Sequence, residues 1–311
     1  LQFWVGTTDN NWFQYLSAVI PAVDEVNFWQ PSAKPLFTSL PAGTPFLFKL
    51  KAPHHHIGGG GYFVKSSVLP LSLAWETFGN KNGTQTRFEF ERNLRRLGGA
   101  SAVRDPLILC NVIAQPFFWP RSLWLEKPEG WSKNIVRGKT YSTDQSDGEA
   151  LWSRVRERLV NTSDNAPMLV RESTEQLSRY GKPTLVAPRL GQGAFRVVVA
   201  EAYERRCAIT GENTLPVLEA AHIKPFSESG PHEVSNGLLL RSDFHKLFDA
   251  GLVTVRPDLT VQVSPQIHKS YFNGKVYYRL DGKRLEVLPK ETSQQPDPSY
   301  LDWHNRNIYV G

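Results

Sequence analysis

Residues 217–225 read VLEAAHIKP, and residues 235–249 read SNGLLLRSDFHKLFD. Apolar spacing predicts a short strand over Val217–His222, then a loop, then a helix from about Arg241 to Asp249. His222 closes the strand, Asn236 stands fourteen residues on, and His245 nine further. On the helix His245 and Asp249 are four apart, so they share a face.

Those residue types suit hydrolysis of a phosphodiester. That reaction needs a base to deprotonate water, a cation to stabilise developing charge, and rigid placement of both. A histidine with ordinary basicity is neutral at physiological pH, so His222 can serve as the base. Asn236 does not titrate; its amide can bond loop backbone and hold the histidine's orientation. His245 and Asp249 can reach one metal ion.

With Cys207–Gly211 reading CAITG just upstream, the joint pattern C-x-x-T-G, L-E-A-A-H-I, N-G-L-L-L-R and H-x-L-F-D resembles the HNH, or ββα-metal, nucleases over about Arg189 to Arg256. The resemblance implies His222 as base, Asn236 as loop organiser and His245 as metal ligand, with a second ligand in some members where Asp249 falls. One departure matters: many such nucleases carry a metal-binding Asp or His just before the base, and Ala221 stands there. By strand alternation Glu219 points to the same side, so it is a candidate replacement ligand; the alternative is that Glu219 pairs with an Arg such as Arg241 and that the metal uses His245, Asp249 and waters. Oxygen and imidazole donors with open water positions imply Mg²⁺ or Mn²⁺.

The 311 residues, 40% of them hydrophobic, suffice for two ordinary domains. Three segments are expected: an N-terminal domain over 1–145, a partly helical linker over 146–185 with a helix at Gly148–Val160, and a nuclease domain over 186–311 that ends in paired strands. No apolar run approaches the roughly 18 to 20 residues that span a bilayer, and Leu1–Gly6 turns polar too soon for a signal peptide, so a cytoplasmic protein with no membrane partner is expected. Cys110 and Cys207 are too few for a disulfide framework or a four-cysteine zinc site. The net charge of +6 favours a polyanionic partner, and 15 Lys and Arg face 10 Asp and Glu within residues 1–145. Arg92, Arg95 and Arg96 there, with Arg241 and Lys246 in the nuclease segment, are candidate phosphate contacts; a merely solvated helix face is the competing reading of the N-terminal group.

Within the first segment Phe3–Gly6, Phe46–Leu50, Tyr62–Val68 and Pro106–Ile113 read as strands. Trp12–Ile20 and Thr84–Leu97 read as helices, the second with Phe88, Glu91 and Arg95 at helical spacing. Gly58–Gly61 lacks the Lys-Ser/Thr of a phosphate loop and reads as allowing close backbone approach to a base or a tight turn. Trp12, Asn27, Phe28, Trp29 and Trp75 mix aromatic faces with amides, the combination that stacks an extruded base and bonds its edge, although most such aromatics serve a core. The opening FWVGT at 3–7, Trp12 and the strand GTPFLFK at 43–49 resemble the EVE branch of the PUA-like fold. The fold class expected is therefore α+β: a PUA-like EVE β-barrel with flanking helices, then a ββα-metal HNH domain. Such fusions occur in modification-dependent restriction endonucleases, which implies cleavage of double-stranded DNA carrying 5-methyl- or 5-hydroxymethylcytosine, read by base flipping. A sequence-specific HNH nuclease on unmodified DNA and a non-cleaving binder of modified nucleic acid are the alternatives. Whether two copies pair as a homodimer to break both strands is left open.

Overall fold

The central strands of the first segment are near-continuous buried runs, the pattern of strands covered on both faces. The structure is a computed structural model; it describes every residue except 20–23, 32, 34–39, 98–102, 129, 133 and 163–189, so the linker beyond 162, the expected domain start at 186 and the start of the HNH resemblance at Arg189 lie outside the described residues. The chain forms two units, Leu1–Ala194 and Phe195–Gly311.

In unit 1 the strands are β1 (Gln2–Thr8), β2 (Glu25–Asn27), β3 (Pro45–Leu50), β4 (His56–Pro70), β5 (Leu107–Phe118), β6 (Leu125–Glu126) and β7 (Gly138–Ser142). They make one sheet in the order β2-β5-β4-β3-β1-β7, with β6 on β4. β1 runs parallel to β3, and β3, β4 and β5 are antiparallel neighbours. Among the described residues the path is open, with β2 and β7 at its ends, and no pairing closes the expected barrel. The glycine run at 58–61 is strand interior and not a turn: it lies within β4, and a Cβ on Gly59 would stand 2.2 Å from the Phe117 carbonyl oxygen of β5. Close backbone approach is thus what these glycines allow.

Among the described residues four α-helices accompany the sheet: α1 (Asn10–Val19), α2 (Leu71–Phe78), α3 (Arg87–Arg96) and α4 (Ser146–Thr162). Trp12, Phe13 and Leu16 of α1 pack with Phe28, Phe46 and Phe48. A capping box starts α3: Thr86 Oγ1 accepts from the Glu89 amide while Glu89 accepts from the Thr86 amide, which satisfies two donors that the helix itself leaves unpaired. Phe88 does not mark its inner face. It is 72% exposed, and Phe90 and Leu94 are the buried pair, so Arg92, Arg95 and Arg96 face solvent. Helix α4, expected in a linker, buries Leu151, Trp152 and Val155 against Phe3, Val5 and Tyr141 and so completes a core.

Unit 2 continues α5 (Gln192–Ala202), then holds β8 (Leu218–His222), β9 (Gly237–Arg241), α6 (Ser242–Asp249), β10 (Val253–Val255), β11 (Val261–Val263), α7 (Gln266–Tyr271), α8 (Lys275–Tyr278) and α9 (Pro298–Asn307). β8 and β9 pair antiparallel, as do β10 and β11. The chain does not end in paired strands: α9 follows them. Asp297 accepts from the Ser299 amide, and Pro298 occupies the first turn, where a missing N–H costs nothing. Leu301 and His304 then fall on one buried face. Among the described residues no helix is long and apolar enough to cross a membrane.

The crowding at Gly59 gives a direct test. Gly59→Ala must push β5 away from β4, and overpacking of this kind costs about 1–3 kcal/mol. A lower urea midpoint is expected, and an unchanged midpoint would show that the sheet yields there without cost.

Candidate active site

The hairpin of β8 and β9 sets His222 directly opposite Gly237. A Cβ on Gly237 would stand 2.6 Å from Val199 and 3.0 Å from the Phe195 ring, so its absence lets α5 press close beneath the hairpin. Phe195 uses that room to stack on His222, with ring centroids 3.9 Å apart and planes 11° from parallel.

Beyond His222 the chain loops out and returns through Asn236, which is fully buried. Its Oδ1 accepts from the Lys224 amide at 2.9 Å, and its Nδ2 donates to the carbonyls of Lys224 and Pro231, each at 2.9 Å. One side chain therefore clamps both ends of the 224–231 loop. That loop presents His232, whose Nδ1 lies 2.9 Å from His222 Nε2. Phe226, 65% exposed, stacks on His232 with centroids 4.6 Å apart. His232 and Phe226 carried no signal in the sequence beyond lying between the two motif stretches.

Burial, then the neighbouring His232 and His245, lowers the His222 pKa to about 4, so its ring is neutral across the physiological range. His245, on α6, has both nitrogens engaged: Nδ1 lies 2.6 Å from Glu219 Oε2 and Nε2 3.4 Å from Asp249 Oδ2. Burial and the nearby Glu219 carboxylate push the Asp249 carboxyl above its usual range, against the opposing pull of His245.

Glu219 does not pair with Arg241. That guanidinium is bonded to Asp243, at 2.7 Å through each of two nitrogens, and lies over the Phe244 ring. Lys246 is exposed on α6. Ala221 is fully buried in the core. Among the described residues no group of three or more His, Cys, Asp or Glu side chains stands arranged to hold a metal ion, because Glu219 and Asp249 address opposite nitrogens of His245 rather than one point. The donor chemistry nonetheless fits a hard divalent cation, since two carboxylates flank one imidazole and the repulsion felt at Asp249 is what a cation relieves.

The aromatic candidates of unit 1 divide in two. Trp12, Asn27 and Phe28 belong to the interior: Trp12 donates from Nε1 to the Asn27 carbonyl, Asn27 donates to Asn82 Oδ1, and Phe28 packs on Phe46. Trp29 and Trp75 are half-buried and both lie against Phe90, with centroids at 5.0 and 6.2 Å. Arg96 reaches Asp9 at 3.4 Å, while Arg92 and Arg95 are exposed.

Residues 207–256 match the HNH endonuclease family, so the chain carries an HNH endonuclease domain there. No curated protein matches the chain. Among solved structures it is similar to a modification dependent TagI restriction endonuclease at 13% identity, covering 98% of this chain and 82% of that one, with a TM-score of 0.29, a level at which the likeness carries no argument.

A second buried histidine gives the unit a pH signature. His304 accepts at Nδ1 from the Thr254 hydroxyl and donates from Nε2 to the Phe248 carbonyl, and burial lowers its pKa to about 4. An unfolded chain takes that proton near pH 6.5. The unfolded state therefore binds more protons between the two values, and stability is full above pH 6.5 and falls as the pH drops toward 4. For His304, 2% exposed, the loss by pH 4 is on the order of 3 kcal/mol. Denaturant midpoints at several pH values for wild type and His304→Gln check this: the variant's curve should be flatter below pH 6.5, and parallel curves would refute it.

Proposed function

We propose that the chain is a modification-dependent DNA endonuclease in which unit 2 hydrolyses a phosphodiester and unit 1 reads a modified cytosine. The observation that carries the proposal is a neutral His222 at a strand end, its loop clamped by Asn236, in the same domain as a His245 flanked by two carboxylates. In this account His222 takes a proton from the attacking water. A base of such low proton affinity is weak in the free protein, and the negative charge of a bound phosphate raises it. Asn236 keeps the loop rigid so that little reorganisation accompanies attack.

His245 Nε2 and Asp249 would hold Mg²⁺ or Mn²⁺. Bound there, the ion supplies a Lewis acid for the charge that develops on the phosphate and the leaving oxygen. Glu219 then orients rather than ligates: it accepts the proton of His245 Nδ1, which leaves Nε2 as the nitrogen with a lone pair to offer. Lys246, Arg92 and Arg95 remain as phosphate contacts, because Arg241 is committed to Asp243 and Arg96 to Asp9. Such contacts add affinity for double-stranded DNA but not sequence choice.

For the reader, the PUA-like EVE resemblance is the support, and Trp29 and Trp75 are the aromatic faces left within reach of a flipped base. Burying one methyl contributes about 0.8 kcal/mol, roughly fourfold in affinity, so 5-methylcytosine is poorly separated from cytosine by shape alone. A hydroxyl met by an amide or carboxylate adds about 0.5 to 1.5 kcal/mol, which favours 5-hydroxymethylcytosine at least as much.

A second reading has its own observation: Ala221 in place of a ligand, with no converging set of three donors among the described residues, suits a binder that does not cut. Plasmids carrying each cytosine modification, incubated with the protein and Mn²⁺, separate the two. Cutting confined to modified DNA is expected. A mobility shift without nicks would establish the binder, and equal cutting of unmodified DNA would remove the reader.

Variants divide the labour further. His222→Ala should lower the cutting rate by about 10²- to 10⁴-fold and leave DNA affinity unchanged, since a base acts on the transition state. Trp29→Ala should weaken binding of modified DNA by about tenfold, from the roughly 1–3 kcal/mol that a stacked base contributes, with cutting at saturating protein preserved. Retained affinity in that variant would move the pocket away from Trp29.

A further inference from the structure

We infer that His232 is a positioning residue for His222, holding the one tautomer in which that ring can accept a proton; this rests on the endonuclease reading above. The two rings meet through His222 Nε2 and His232 Nδ1 at 2.9 Å, and only one hydrogen can lie between those nitrogens. If it belongs to His222, then Nε2–H donates to His232 and Nδ1 of His222 keeps its lone pair. If it belongs to His232, then His222 Nε2 is occupied as an acceptor and Nδ1 carries the hydrogen of the neutral ring, leaving no site for a proton from water.

Three features make the pair a built arrangement. Phe195 stacks on His222 and fixes its plane, and Phe226 stacks on His232 at 11° from parallel. The Asn236 amide, bonded to the Pro231 carbonyl, fixes the backbone immediately before His232. Among the described residues no hydrogen bond engages His222 Nδ1, so that nitrogen has no competing donor.

During attack, water gives its proton to His222 Nδ1 and the resulting hydroxide forms the new bond to phosphorus as the bond from phosphorus to the leaving sugar oxygen breaks, that oxygen taking a proton from solvent. His222 becomes an imidazolium whose Nε2–H still donates to His232. A neutral imidazole thus does for His222 what a carboxylate or carbonyl does for other catalytic histidines: it selects the tautomer and steadies the cation. His232 touches neither water nor phosphate in this scheme, and it acts only through His222.

The test uses the full chain with two variants. His232→Ala removes the acceptor, whereas His232→Asn keeps a carbonyl oxygen near the position of Nδ1. Steady-state cutting of modified DNA should show kcat reduced roughly ten- to a hundredfold in the Ala variant with KM unchanged, and most of that loss restored by Asn. Nitrogen-15 NMR of labelled imidazoles gives a readout independent of activity: in wild type and in the Asn variant the His222 proton should sit on Nε2, and in the Ala variant it should divide between both nitrogens. A wild-type His222 protonated on Nδ1, an Ala variant that cuts at the wild-type rate, or an Asn variant no better than Ala would each overturn the inference. Wild-type protein that cuts no DNA would overturn the endonuclease reading instead, with the NMR result still deciding whether His232 sets the tautomer.

Discussion

Asn236 makes three hydrogen bonds to loop backbone from a position closed to solvent, and the rest of the candidate site hangs from them. A neutral hydrogen bond contributes about 1 kcal/mol net, but a buried amide or carbonyl left without its partner costs about 1–3 kcal/mol. The asymmetry explains why an amide suits this position and a carboxylate does not: Asn both accepts from Lys224 and donates to Lys224 and Pro231, whereas an ionised carboxylate only accepts. With the loop clamped at both ends, His232 returns against His222, and β9 begins in register with β8.

Around that clamp the two motif histidines occupy opposite electrostatic environments. His222 lies between an aromatic face and a second imidazole, where burial disfavours the charged ring. His245 lies between two carboxylates. One domain thus holds a ring kept neutral by burial and its neighbours, and a second ring flanked on both nitrogens by carboxylates. Gly237 permits the first environment, because any side chain opposite His222 would displace Phe195, and α6 supplies the second by placing His245 and Asp249 one turn apart.

The strand that ends in His222 and the helix that carries His245 and Asp249 were legible in sequence because both have a strong apolar pattern. A run of apolar residues ending in His222 is a strand, and His245 with Asp249 four residues on is a helix face. What could not be read was pairing. That Glu219 meets His245 and Arg241 meets Asp243 depends on side-chain reach across the hairpin and the helix start, which one-dimensional spacing does not encode. His232 was invisible for a related reason: it lies on an irregular loop, and only the Asn236 clamp brings it to His222. In α3 the helical spacing of Phe88, Glu91 and Arg95 was legible, but which face is buried was not: contact of Phe90 with Trp29 and Trp75 decides it. The terminal helix α9 was missed because its start depends on Asp297 and Pro298, signals that also open turns.

Unit 1 shows why aromatic content alone says little about ligand recognition. Trp12 and Phe28 offer the same ring surface as Trp29 and Trp75, yet their faces are taken by Phe46, Phe48 and Phe118. What distinguishes Trp29 is restraint combined with exposure. Its Nε1 donates to the Asn82 carbonyl at 2.9 Å, and Phe90 meets its ring edge to face at 76°, so its rotamer is fixed before anything binds. A side chain ordered in advance loses little further conformational entropy on stacking, which otherwise offsets about 0.5–1.5 kcal/mol of the gain. Asn82 is itself buried and bonded to Ala74, Gly79 and Asn27, so the restraint passes from the core outward to the half-buried Trp29 ring.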